Sequence, residues 1–88
     1  MIERKVEVVN ALGIHARPSS MIVKAAQRFS SGVSIIKGGA VADAKSIMSV
    51  MMLAATCGSV VTIRATGADE TDAVETIAGL FAKRFDEE

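Results

Sequence analysis

The chain opens on alternation. Ile2, Val6 and Val8 fall on one side of an extended backbone, and Glu3, Lys5 and Glu7 fall on the other. That period of two marks a strand with one wet face. Asn10 to Gly13 breaks the pattern as a loop. From Ala16 the period lengthens. Pro18, Ile22, Ala25, Ala26 and Phe29 share one helical face, with Ser20, Lys24, Gln27 and Arg28 opposite. Pro18 fits such a helix only in its first turn, where a missing N–H forfeits no intrahelical bond. His15 therefore belongs at or beside the N-cap. Ser30-Ser31-Gly32 stops the helix.

Val33 to Lys37, Gly38-Gly39 and Ala40 to Asp43 read as a hairpin, with the Gly-Gly pair supplying the positive φ angles of a two-residue turn. Ser46 opens a short helix through about Ala55, with Gly58 just beyond it. Val60 to Ala65 is a further strand. Gly67-Ala68-Asp69 turns the chain, and Asp69 is a good N-cap candidate. Val74, Ile77, Ala78, Phe81 and Phe85 line one face of a last helix, while Asp72, Glu75 and Lys83 stay wet. The order βαββαβα predicts an α+β fold, a two-layer open-faced sandwich with its helices on one face of an antiparallel sheet. Residues 1–88 read as one domain, without repeats, linkers or low-complexity segments.

Composition narrows the function. Half of the 88 residues are apolar, but only three are aromatic, all Phe. The core must be aliphatic, and base-stacking platforms are lacking. Formal net charge is zero, so the basic footprint of a nucleic-acid binder is missing. No N-terminal signal is legible, and the longest apolar run, Ile47 to Thr56, is broken by Ser49 and too short to span a bilayer. A reducing cytoplasmic location is the expectation. Cys57, the single cysteine, reads as a small buried filler. No Cys/His cluster, no Ser–His–Asp arrangement and no P-loop is present, so no metal or cofactor is expected. The acidic tail Asp86-Glu87-Glu88 reads as solvated.

The candidate chemistry lies in Gly13-Ile14-His15-Ala16-Arg17-Pro18-Ser19, which holds the only histidine and the only proline. A neutral imidazole is nucleophilic, and an ordinary histidine pKa of about 6.5 keeps much of it neutral near pH 7. Attack on a phosphoryl donor would give a reactive P–N bond. The new dianion would then meet the free N–H groups of Ala16 and Arg17 and the positive end of a helix dipole. The Arg17 guanidinium adds a paired donor for phosphate oxygens. The plainer alternative is that His15 only caps the helix or fills the loop.

This stretch resembles the active-site signature of HPr, the histidine-containing phosphocarrier family of the bacterial phosphotransferase system. Lys45-Ser46-Ile47-Met48-Ser49-Val50-Met51 resembles that family's regulatory-serine helix, and length and element order agree from end to end. The resemblance implies a four-stranded antiparallel sheet with three helices on one face. It implies that His15, through Nδ1 and with Arg17 assisting, takes phosphate from the phosphoenolpyruvate-dependent Enzyme I and gives it to an Enzyme IIA. It implies a monomeric carrier with a covalent phosphohistidine rather than a stand-alone enzyme. It also implies that an HPr kinase/phosphorylase acts on Ser46 in some bacteria.

Two readings of Ser46 coexist: a plain helix N-cap, and a phosphorylation site where the dipole favours the added charge. On its helix Val50, Leu53 and Ala54 share a core-like face, with Ile47, Met48 and Met51 on another side. A short helix that is apolar nearly all round is either wholly buried or carries a sticky patch. Methionines suit a surface that meets several partners, and the family docks its partners near this helix. Leu12 stands where many sugar-transport members have Thr or Ser, which brings the nitrogen-branch carriers closer. Ser49 replaces a common glycine. A regulatory binding module centred on Ser46 and a plain ligand-binding or structural domain with an inert His15 are the competing readings.

Overall fold

In the computed structural model, which describes residues 1–86, the elements are β1 (Ile2–Glu7), α1 (Ala16–Ala26), β2 (Gly32–Lys37), β3 (Ala40–Asp43), α2 (Ile47–Met52), β4 (Val60–Thr66), α3 (Glu70–Ala82) and a short left-handed turn, Arg84–Asp86. The four strands form one antiparallel sheet in the order β1-β4-β2-β3. The predicted α+β open-faced sandwich is what forms. Strand β4 is placed centrally, between β1 and β2, although it is the last of the four strands in the chain.

Alternation decides which face is covered. Val61, Ile63 and Ala65 of β4, Val33 and Ile35 of β2 and Ala42 of β3 are buried under the helices. Ile22, Val23 and Ala26 of α1 meet them, as do Val50 of α2 and Val74, Ile77 and Phe81 of α3. In β1 the register Ile2↔Ala65, Arg4↔Ile63 and Val6↔Val61 puts Arg4 on this same face. There its guanidinium pairs with Glu75 of α3. On the open face Glu3 sits opposite Arg64 in register, and their side chains bond at 2.6 Å.

Several local expectations are corrected. Only Gly38 of the Gly-Gly turn has a positive φ, 58°. Phe29 lies beyond the end of α1, although it still packs, half-buried, on the core. Helix α2 stops at Met52 rather than near Ala55, because Ala54 turns left-handed at φ 51°. Ala54 is consequently exposed and not part of the core. The Lys37 ammonium closes the helix end by donating to the Leu53 and Ala54 carbonyls at 3.3 and 3.4 Å. With α2 ended, Cys57 falls in the Thr56–Ser59 turn and is exposed, not buried. Phe85 is buried as expected and meets Phe81 edge to face, with centroids 4.9 Å apart. It arrives there through three consecutive positive φ angles, at Arg84, Phe85 and Asp86, and not on the face of α3. Asp86 is exposed, while Glu87 and Glu88 lie outside the described residues.

Asp69 occupies the N-cap position of α3, yet its carboxylate does not cap that helix. It reaches the α1–β2 loop and accepts from the Ser30 amide at 3.0 Å, the Ser31 amide at 2.9 Å and the Ser31 hydroxyl at 2.5 Å. Gly67 makes room, since a Cβ there would lie 2.5 Å from Ser31 Oγ. These bonds, the Ser31 hydroxyl first, hold the Asp69 pKa down to about 2. A carboxylate whose pKa is lowered by folding stabilises the fold above its ordinary pKa and loses that contribution as pH falls through the folded value. Asp69→Ala is therefore expected to melt below the parent at pH 7, with the gap narrowing from about pH 4 to about pH 2. Thermal melts across that range check this.

Candidate functional site

The loop before α1 is fixed from both sides. Gly13 takes φ 70°, and a Cβ there would lie 2.4 Å from the Ala55 carbonyl oxygen. The Ile14 amide donates to that same oxygen at 2.9 Å, while the Ile14 side chain is buried in the core. Asn10, fully buried, donates from Nδ2 to the Gly13 carbonyl at 2.6 Å. The Gly13 amide returns a bond to the Asn10 carbonyl at 3.1 Å. The histidine loop is thus tied to the exit of α2 by backbone contacts that leave little slack. The sequence pattern places Asn10 only in a loop. An Asn three residues before a Gly is a turn signal that could have marked it.

His15 follows as the N-cap of α1, with extended backbone at φ −113° and ψ −159°. Its carbonyl accepts the Ser19 amide at 2.9 Å, the first bond of the helix. Its side chain makes no capping bond to α1, and the residue is half-buried. The next two amides, Ala16 and Arg17, have no acceptor within the helix by its geometry, and both residues are exposed. Pro18 is the third helical residue and buried. It has no N–H to leave unpaired and presets φ for the first turn. The structure thus puts His15 at the N-cap of α1, with Ala16 and Arg17 as the first two residues of that helix.

Such an end favours an anion, through donors that need no rearrangement and through the dipole. An imidazole there can take a phosphoryl group by in-line attack, forming P–N as the donor's bond to phosphorus breaks.

Ser46 is the N-cap of α2, and its Oγ accepts the Ser49 amide at 3.3 Å. Replacing it with alanine is expected to cost about 1 kcal/mol, whereas Ser46→Asp keeps an acceptor and costs less. Urea titrations of both variants separate the capping role from any role of charge. Only Val50 is buried within this six-residue helix. Ile47, Met48 and Met51 are exposed, together with Met52. The helix that is apolar all round therefore carries a patch, and Leu12 on the histidine loop is exposed as well. Among the described residues no group of His, Cys, Asp and Glu side chains could hold a metal ion.

Comparison with known proteins extends this. The PTS-HPr family model, described as the PTS HPr component phosphorylation site, matches residues 2–83. The phosphocarrier protein HPr of Cupriavidus necator is 45% identical over 87 residues, which cover 99% of this chain and 98% of the relative. Among solved structures, HPr-C-His of Thermoanaerobacter tengcongensis has a TM-score of 0.95 at 39% identity, covering 100% of this chain and 99% of the other. A structure described as an HPr dimer from the same organism has a TM-score of 0.77 at 38% identity, covering 97% and 98%.

Proposed function

The chain belongs to the HPr family of phosphotransferase-system phosphocarriers, and on that premise we propose that His15 accepts a phosphoryl group from Enzyme I, charged by phosphoenolpyruvate, and passes it to Enzyme IIA proteins. The observation that carries this is the placement of His15 at the start of α1, beside the amides of Ala16 and Arg17. The same amides and the Arg17 guanidinium hold the phosphate while it waits. They do not make the P–N bond permanent, because they bind oxygen and leave phosphorus open to the next acceptor.

Enzyme I and Enzyme IIA dock over the apolar patch of Ile47, Met48 and Met51, with the histidine loop beside it. The bond from Ile14 to Ala55 links the two regions and supports their use as one surface. An HPr kinase/phosphorylase would modify Ser46 at the edge of that patch. A phosphoserine there adds close to two negative charges at a helix N-terminus, where they are tolerated, and next to apolar side chains that a partner must cover. Regulation then needs no refolding. Among the described residues no helix is long and apolar enough to cross a membrane. The proposed carrier works in the cytoplasm, where its phosphoenolpyruvate donor is made.

Incubation of the chain with Enzyme I and phosphoenolpyruvate is the test. One acid-labile, base-stable phosphate per chain is expected. A chain that takes up none, or takes up only an acid-stable one, contradicts the reading.

A further inference from the structure

Three of the five methionines, Met48, Met51 and Met52, fall within five consecutive residues. They are 69%, 39% and 78% exposed. Met21, on α1, is only partly buried but packs against the core. None of the three belongs to the buried core cluster. The helix is held by Val50 and Leu53, which are 0% and 6% exposed, and by the Ser46 cap. A change at the thioethers would alter the surface and leave the fold in place.

We propose that Met48, Met51 and Met52 form a peroxide-responsive modification site, whose oxidation turns the docking patch from apolar to polar and slows acceptance of phosphate from Enzyme I. The proposal rests on the docking role given to this patch above. The oxidant is a hydroperoxide. A sulfur lone pair attacks its terminal oxygen, the S–O bond forms as the O–O bond breaks, and the leaving oxygen takes the proton to give water or an alcohol. Sulfur loses two electrons and the peroxide gains them. The product, methionine sulfoxide, is polar and disrupts methionine-rich contact surfaces, and methionine sulfoxide reductases reverse it. Because all three side chains already reach solvent, no opening of the fold precedes the reaction.

Cys57 is also exposed, so the experiment uses the full chain with Cys57→Ala. After graded treatment with hydrogen peroxide, peptide mass spectrometry should find Met48, Met51 and Met52 oxidised several-fold faster than Met21. Enzyme I should then show a KM for the oxidised carrier raised roughly tenfold, the loss expected for one well-buried thioether, with kcat changed less than twofold. Sulfoxide reductases should restore the starting KM, and a Met48→Leu/Met51→Leu/Met52→Leu variant should show no KM shift on peroxide treatment. Equal oxidation of Met21 and the three patch residues overturns the proposal, as does an unchanged KM for the fully oxidised chain. Met48→Glu in unoxidised protein separates the two ideas. If it raises KM, docking stands and a silent oxidation defeats the redox proposal alone. If it leaves KM unchanged, the docking reading fails and this proposal with it.

Discussion

Replacing His15 with alanine is expected to abolish phosphoryl acceptance and leave the fold standing. The chain has no other histidine, so no second imidazole can substitute. The backbone carbonyl at this position starts α1 through Ser19. The imidazole caps nothing in that helix, so its removal does not cost the bond that a Ser or Asp cap would lose. Stability is expected to change by less than about 1 kcal/mol, as for a substitution outside the packed core. Labelled phosphate counted after incubation with Enzyme I and phosphoenolpyruvate, alongside a thermal melt, checks both halves. Acid-labile phosphate on the variant would contradict the assignment.

Gly13→Ala is expected to damage stability and transfer together. A left-handed φ alone costs an alanine about 1 kcal/mol. Its Cβ would also sit 2.4 Å from the Ala55 carbonyl oxygen and 3.0 Å from Thr56 Cα. Neither is the loose end of a side chain. Ala55 is held by the Ile14 amide, and the Thr56 amide donates to Ser59 Oγ at 3.2 Å. Relief must come from moving the histidine loop. The expected total is about 2–4 kcal/mol, the range for backbone strain combined with overpacking. Displacing a reacting group by about 1 Å costs on the order of a hundredfold in rate, so phosphoryl acceptance should fall well beyond what the unfolded fraction explains. Gly79→Ala is the control. It lies inside α3 with nothing within 4 Å of a new Cβ, and it should gain about 0.5–1 kcal/mol by helix preference alone. Urea titration and single-turnover transfer, measured on both variants, distinguish strain at one glycine from a general intolerance of alanine.

The features legible in the sequence are those that one-sided burial imposes. Each strand and helix buries a single face, so Val61, Ile63 and Ala65 alternate, and Ile22, Ala25 and Ala26 recur at helical spacing. Pro18 marked the first turn of α1, and through it the place of His15, because a proline later in a helix would break a bond. The rest depends on long-range contacts or on backbone that works against local preference. No periodicity tells β4 to enter between β1 and β2. Ala54 has no local reason to turn left-handed, and that single φ shortens α2, exposes Cys57 and positions Ala55 to receive Ile14. Phe85 is apolar and buried, but its route through a left-handed turn is not visible in a residue type that disfavours it. Asp69 has the chemistry of a cap, and only the fold brings Ser30 and Ser31 close enough to claim it.

The most direct test of the central claim is amide NMR of the phosphorylated chain with the phosphate located on the histidine ring. The account predicts a phosphoryl group on His15 nitrogen and its largest new amide shifts at Ala16 and Arg17, the two donors that the start of α1 leaves unclaimed. Phosphate on another residue, or a phosphohistidine that leaves those two amides unmoved, would contradict it.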